Sequence, residues 1–334
     1  MKILGFGDYL MHFSPHGREK FMQANDMHLT FTGAEANVTS ALAEWGFDTR
    51  FVSALPRHAI AEHAVSSLRA FGIDTSFLLR RAGRMGIYFL ENGVSLRSSE
   101  VIYDRENSVF TASKPEDYQI DEMLEGVDIL VLSGITPALS PTLFDTSLAL
   151  LRSAKEKGIH VVFDVNHRPA LLSQEKASEN LRALAPYITT LVANEEHLKM
   201  LLGVESVFGE EEREARLLDI AERAAKTLGL SRVAVTVRRT LSASQARIYA
   251  GYKNGEDFAV SPIHNIDVVD RVGSGDAFTA GLVYSIVKEL TTENAVAFAS
   301  AASAYKHTVE SDVLFALPTD IAAVMANART DVKR

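Results

Sequence analysis

Short β-type runs alternate with segments of helical periodicity along the whole 334-residue chain, and this rhythm restricts the fold more than any other feature. Strands are expected at Lys2–Phe6, Phe51–Leu55, Ile129–Leu132, His160–Asp164, Thr190–Ala193 and Val233–Val237. The helices between them carry apolar faces and end at glycine. Ala61, Ala64, Val65, Leu68 and Phe71 share one face and stop at Gly72, and Val38, Ala41, Leu42 and Trp45 do the same before Gly46, since a residue without Cβ closes a helix most readily. Ser140-Pro141 opens a further helix with a cap and a first-turn proline, and Gly158 closes it. Strands separated by helices pair in parallel, with helices over both faces of the sheet.

Two stretches interrupt the rhythm, at about 9–32 and 84–113. They read as short alternating strands with no helix between them; in Gly86–Leu90, Tyr88 and Leu90 face one way while Ile87 and Phe89 face the other. Antiparallel pieces inserted into an α/β core are expected to form a small sheet over the mouth of a site, a lid. No repeat or low-complexity tract divides the chain, so residues 1–334 are expected to form one domain. The acidic run Gly209–Glu214 reads as the solvated start of a helix through Leu228.

Charge and composition narrow the function classes. Forty-three acids against 34 Lys and Arg give a net charge of −9, the wrong balance for gripping a nucleic-acid backbone. A small anionic ligand held by a few local arginines remains compatible. With no cysteine there is no disulfide framework, thiol nucleophile or Cys-ligated zinc, and a cytoplasmic location is expected. The first residues lead straight into a strand-like run, with no signal-type apolar segment. Apolar runs such as Val127–Leu132 are too short to span a bilayer.

Chemistry concentrates in Asp270-Arg271-Val272-Gly273-Ser274-Gly275-Asp276, which leads into a helix of small and apolar residues (Ala277, Phe278, Leu282, Val283, Ile286). Such a helix has little polar face and is expected to be central and buried. The amides of Gly273, Ser274, Gly275 and Asp276 then form an anion site at a positive helix end, suited to a transferring phosphoryl group. Asp276 at that same end reads in two ways. It is either a plain N-terminal cap or a carboxylate that takes a proton from an attacking hydroxyl.

Asp-x-x-Gly-x-Gly-Asp before a small-residue helix resembles the C-terminal signature of the ribokinase-like (pfkB) carbohydrate kinases. Gly33-Ala34-Glu35-Ala36-Asn37-Val38, followed by Ala41-Leu42 and Gly46, resembles that family's first signature. The likeness runs from Gly7 to about Asp320. Within the family the chain is most similar to 2-keto-3-deoxygluconate kinases, through Leu132–Pro137, Asp164-Val165-Asn166-His167-Arg168 and Ala304-Tyr305-Lys306-His307-Thr308. The resemblance implies a ribokinase-like doubly wound, mostly parallel sheet with helices on both faces and a β-sheet lid.

It also implies site roles. Asp276 becomes the catalytic base, with Gly273, Ser274 and Gly275 around the phosphoryl group. Arg168 follows a strand at its carboxyl end, where doubly wound sheets bind ligands, and its guanidinium matches the carboxylate of a sugar acid. Arg105, Tyr88 and Tyr103 from the lid, and Gly33, Ala34 and Asn37 from the first signature, are the other substrate contacts implied. Ordinary ion pairs, lid packing and helix-end packing are the alternatives for these positions. Asn194, Arg238, Ser242, Gly273 and Gly275 are implied for ATP, and Glu196 for water-mediated Mg²⁺. A monovalent cation is a further candidate cofactor.

Departures from the family pattern are Asp8, Thr32, His197 where another acid is usual, Ser311, and the glycine-free stretch Arg238–Ser244 where a Gly-rich turn against ATP is usual. The Ala- and Ser-rich helix Ala295–Lys306 offers either an adenine surface or simple packing. No Walker-type phosphate loop is present. Gly5-Phe6-Gly7 lacks the third glycine of a dinucleotide fingerprint, and His58 and His63 lack zinc-site spacing. The expected activity is ATP-dependent phosphorylation of 2-keto-3-deoxygluconate at O6, in a homo-oligomer (dimer or larger) free of membrane and nucleic acid. The alternatives are a kinase of the same fold for fructose or a sugar phosphate, and a non-catalytic sugar-binding protein.

Overall fold

The computed structural model describes residues 1–326. The N-terminal part runs β1 (Lys2–Phe6), β2 (Leu10–Ser14), β3 (His28–Thr32), α1 (Ala34–Glu44), β4 (Asp48–Val52), β5 (Ala54–Pro56), α2 (Ala59–Ala70), β6 (Leu79–Arg81), β7 (Ile87–Glu91) and β8 (Glu100–Asp104). The middle continues with α3 (Ile120–Met123), β9 (Ile129–Ser133), α4 (Pro141–Glu156), β10 (His160–Asp164), α5 (Gln174–Leu184), β11 (Thr190–Asn194), α6 (Glu195–Leu202) and α7 (Arg213–Leu228). The last part comprises β12 (Arg232–Ser242), β13 (Gln245–Asn254), β14 (Asp257–Val260), β15 (His264–Asp267), α8 (Ser274–Val287), α9 (Thr292–Lys306) and α10 (Pro318–Met325).

The nine-stranded main sheet has the order β14-β13-β12-β11-β10-β9-β1-β4, with β15 also on β13. Pairing is parallel from β4 to β12 and antiparallel beyond. Alternate residues of the parallel strands feed two cores. Leu4, Leu130, Val161 and Phe163 pack with Leu150, Leu181, Leu198 and Ile220 of α4 to α7 on one face. Ile3, Ile129, Val131 and Val162 pack with Leu42, Phe278, Val296 and Ile321 of α1 and α8 to α10 on the other. This period of two explains why the strands read as nearly continuous apolar runs.

Most helix limits follow the local signals. Ser140 Oγ accepts from the Leu143 amide at the start of α4, and Gly46, Gly72 and Gly158 follow their helices with positive φ. The acidic run forms one tight turn, Glu210–Glu212, before α7. Two strand expectations need correction. The stretch 51–55 is broken at Ser53 into β4 and β5, which join different sheets. The strand begun near Val233 does not end at Val237; β12 continues to Ser242 and pairs with β13 through a two-residue connection. Its outer half, Arg238–Ser242, is polar except for an exposed Leu241, so it carries no apolar alternation to announce a strand.

A second, four-stranded sheet has the order β3-β2-β7-β8. As the alternation implies, Tyr88 and Leu90 are buried together with Leu10, while Phe89 stacks on Phe13 from the opposite face (centroids 5.6 Å apart). No helix among the described residues is long and apolar enough to cross a membrane.

Candidate active site

The second sheet, the start of α1, the carboxyl ends of β10 and β11, and the turn before α8 enclose a cavity of about 430 Å³. The turn is shaped by its own sequence. Asp270 Oδ1 accepts from the Val272 amide over 2.9 Å, and Gly273 then adopts φ +76° as the N-cap of α8. A Cβ on Gly273 would lie 1.9 Å from the Asp312 carbonyl oxygen, so only glycine fits. Of the amides expected to be free, that of Ser274 turns back to the Arg271 carbonyl at 3.4 Å. Those of Gly273, Gly275 and Asp276 take no backbone acceptor among the described residues.

Asp276 is therefore not the cap. It stands in the first turn of α8, lines the cavity, and its Oδ2 accepts from Asn37 Nδ2 over 2.8 Å. Asn37 Oδ1 in turn accepts from Thr32 Oγ1 over 3.0 Å, so both ends of the Asn37 carboxamide are engaged within the protein. Burial raises the Asp276 carboxyl to about 6, against the lowering effects of the Asn37 hydrogen bond and the Arg168 charge. A carboxylate with that value is ionised at neutral pH yet basic enough to accept a proton.

Two further acids share this neighbourhood. Burial raises Glu35 to about 7 and, helped by the Asp276 charge, Asp164 to about 7. Glu35 Oε1 accepts from the Ser133 amide (2.8 Å) and from Thr136 Oγ1 (3.3 Å), which ties α1 to the end of β9. Asp164 Oδ1 accepts from the Asn166 amide over 3.1 Å.

The cationic residues fit poorly with ordinary ion pairing. Arg168 lines the cavity, is exposed, and has no acid within 4 Å among the described residues. Arg105 is 6% exposed yet reaches only to 3.8 Å from Asp8 Oδ2. It lies over the Tyr103 ring at 4.2 Å, and its Nε and Nη2 have no acceptor. Asp8 is raised to about 6 by burial, which outweighs the pull of Arg105. Tyr88 and Tyr103 both line the cavity, but the Tyr88 hydroxyl is committed to Asp312 Oδ2 over 2.6 Å. Gly33 and Ala34 open α1 beside them. A Cβ on Gly33 would sit 2.0 Å from the Asp8 carbonyl oxygen.

At the other signatures the outcome divides. Asn194 caps α6 through Oδ1 and the Glu196 amide (2.7 Å), and both residues line the cavity. Glu195 faces away, bonded to Arg216 (2.7 Å) and Arg239. His197 lines the cavity with Nδ1 unpartnered. Burial and the Arg168 charge depress it to about 4, so at neutral pH it offers a lone pair and no negative charge. No group of three metal-ligating side chains occurs among the described residues. That donor set fits Mg²⁺ only in the manner natural to it, held mostly by phosphate oxygens and retained water, with Glu196 as the protein carboxylate.

Arg238 lines the cavity, but Ser242 does not. Ser242 ends β12, where its Oγ accepts from the Ser244 amide (3.1 Å) and its carbonyl from Arg271 (3.4 Å). The small-residue face of α9 does reach the cavity, through Ser300 and Ser303, and His307 just past the helix and Ile248 of β13 also line it. His307 Nδ1 meets the Ser303 carbonyl at 2.7 Å, and Nε2 is without a partner. Sequence reasoning assigned no role to Asp8, Glu35, Asp164 or His307. Asp8 and Asp164 had a usable signal, acids at or just beyond the carboxyl end of a buried strand; Glu35 and His307 stood inside signature segments but nothing local marked them out from their neighbours.

Residues 2–319 match the model of the pfkB family of carbohydrate kinases. The crystal structure of 2-dehydro-3-deoxygluconokinase from Thermotoga maritima superposes with a TM-score of 0.93 at 35% identity, over 98% of this chain and 99% of that one. A 2-dehydro-3-deoxygalactonokinase of Haloferax volcanii is 28% identical, covering 100% of this chain and 99% of its own length. A 2-dehydro-3-deoxygluconokinase of Bacillus subtilis is 26% identical, covering 97% and 95%.

Proposed function

The chain belongs to the pfkB family of carbohydrate kinases, and on that premise we propose that it uses ATP to phosphorylate O6 of 2-keto-3-deoxygluconate (2-dehydro-3-deoxygluconate), giving 2-keto-3-deoxy-6-phosphogluconate. The observation that carries the choice of substrate is the pair Arg105 and Arg168. Both open onto the cavity that holds Asp276, one with two unpartnered nitrogens and the other with no acid in reach. A guanidinium with no acid within 4 Å, beside another held only by a long contact to Asp8, suits a ligand carboxylate, and a neutral sugar has none to give. The Thermotoga and Bacillus relatives are named for this sugar acid.

In the reaction Asp276 accepts the O6 proton as O6 bonds to the γ-phosphorus of ATP and the bond to the β-phosphate oxygen breaks, releasing ADP. Asn37 holds the carboxylate in place. The free amides of Gly273, Gly275 and Asp276 face the charge on the moving phosphoryl group, at the positive end of α8. Glu196 would hold Mg²⁺ through retained water, and the ion would supply neutralisation of phosphate charge. Arg238 and the Ser300, Ser303 and His307 face of α9 make the nucleotide side of the cavity. The second sheet acts as the lid, carrying Tyr88, Tyr103 and Arg105 over the sugar and excluding water. Among the described residues strand β8 pairs with β7 alone and exposes Val101, Ile102 and Tyr103, an edge that a homo-oligomer would cover.

A coupled ADP-release assay over 2-keto-3-deoxygluconate, its C4 epimer 2-keto-3-deoxygalactonate, fructose and fructose 6-phosphate tests the reading. Turnover is expected on the keto-deoxy acids. A preference for either fructose substrate would overturn it. The Haloferax relative makes the galactonate epimer the one second substrate with an observation behind it.

A further inference from the structure

We propose that the Lys306 ammonium is a built-in positioning cation of the phosphoryl-transfer turn, occupying by covalent attachment the place that a dissolved monovalent cation would otherwise have to fill. The inference rests on the reading of Gly273–Asp276 as the phosphoryl cradle.

Lys306 ends α9 and is 0% exposed. An ammonium so placed has lost its hydration and needs compensation from the protein. Its Nζ donates to the carbonyl of Val309 over 3.0 Å, and no carboxylate lies within 4 Å of it among the described residues. Compensation therefore comes at longer range. Burial lowers its proton affinity, while the charges of Asp270, Asp312 and Asp276 hold it up.

Two of these acids bracket the turn. Asp270 is 5% exposed and fixes the Val272 amide; its own amide, like that of Val269, donates to the carbonyl of His307, the residue after Lys306. Asp312 is 6% exposed, and its carbonyl is the atom that forces glycine at position 273. Its Oδ2 takes His12 (3.1 Å) and Tyr88 (2.6 Å), whereas Oδ1 has no partner. The segment 306–312 thus carries a cation, the clamp on Asp270 and the wall against Gly273 within a few residues.

The electrostatic consequence is direct. Asp270, Asp276 and Asp312 put three acids in or beside a cradle that must admit the phosphates of ATP, and Lys306 adds to Arg168, Arg238 and Arg271 of the cavity lining in offsetting their field. A fixed positive charge behind the turn offsets them without touching the substrate. Being covalent, it also needs no loading step, so turnover should not depend on potassium or ammonium.

The test compares wild type with Lys306→Met, assayed for ADP release from 2-keto-3-deoxygluconate and MgATP. Tetramethylammonium is the only monovalent cation at first; ammonium or potassium chloride is then added. Wild-type turnover is expected to be unchanged by the addition. Lys306→Met is expected to lose about 10–100-fold in kcat, with the KM for sugar acid little altered, and to regain part of it with ammonium. A plain structural role predicts a lower Tm and no cation-specific recovery, so a folded Lys306→Met that no cation rescues overturns the inference, as does one with wild-type kcat. Should that variant fail to fold, the wild-type arm decides alone: wild-type activity that requires added potassium or ammonium overturns it. Wild type inactive on every sugar would remove the cradle reading as well, which separates the two failures.

Discussion

The carboxamide of Asn37 donates to Asp276 Oδ2 over 2.8 Å across 239 positions of sequence, joining the start of α1 to the start of α8. The bond does two things. It fixes the rotamer of the carboxylate facing the cavity, and it favours the ionised form that accepts a proton.

Replacing Asp276 with Asn removes the proton acceptor and preserves the shape. Steady-state kinetics should show kcat reduced by about 10²–10⁴-fold, the usual range for losing a general base, with the KM for sugar acid nearly unchanged. Near-normal turnover would remove Asp276 from the role of base.

With Asp276 at about 6, the kcat/KM profile should fall on the acid side around that pH, because the protonated form cannot accept the substrate proton. The Asn37 hydrogen bond lowers the value, so Asn37→Ala should move the acid limb to higher pH. The variant's deficit should then be larger at pH 6 than at pH 8.5. A limb that stays put would separate Asn37 from the titration.

Arg168 has no acid within 4 Å among the described residues and acts on Asp276 and Asp164 only at longer range, so its replacement by Gln should cost little stability. A lost charged hydrogen bond amounts to about 10–100-fold in affinity. That loss should appear in the KM for keto-deoxy sugar acids; an equal effect on fructose would contradict carboxylate recognition.

Gly273→Ala places a methyl group against the Asp312 carbonyl at a left-handed backbone position. The strain is about 1–3 kcal/mol, and the displaced amides should reduce kcat by roughly 10²-fold. Thermal unfolding and kinetics on the same preparation check both.

Asp164 carries a folded value of about 7, far above its ordinary 3.8, through burial first and the Asp276 charge second. The folded state therefore binds this proton more tightly than the unfolded chain. The stabilisation is complete below the unfolded value and is lost as pH rises through about 7. Asp164→Asn, which can keep the Asn166 bond, should thus gain thermal stability relative to wild type as pH rises from 4 to 8. The gain in Tm should be on the order of a few degrees. A Tm difference that does not vary with pH would rule out this account of Asp164.

Local chemistry decided much of this protein. Apolar runs of the right length became the buried strands β1, β9, β10 and β11, glycines closed α1, α2 and α4, and Asp270–Asp276 turned sharply into a buried helix, each because the signal lies within a few residues. The β12–β13 hairpin escaped because Arg238–Ser242 is polar and its turn, Ala243-Ser244, lacks the Asn-Gly or Asp-Gly mark. Arg105 and Arg168 were visible as candidates, but the unpartnered nitrogens of the one and the lack of a nearby acid for the other were not. Likewise Asp8, Glu35, Asp164 and Lys306 look like ordinary surface charges in one dimension. Only packing brought them out of water and beside one another. Desolvation and proximity are properties of the folded assembly, and they are what raise the proton affinity of these carboxyls and take a lysine out of water.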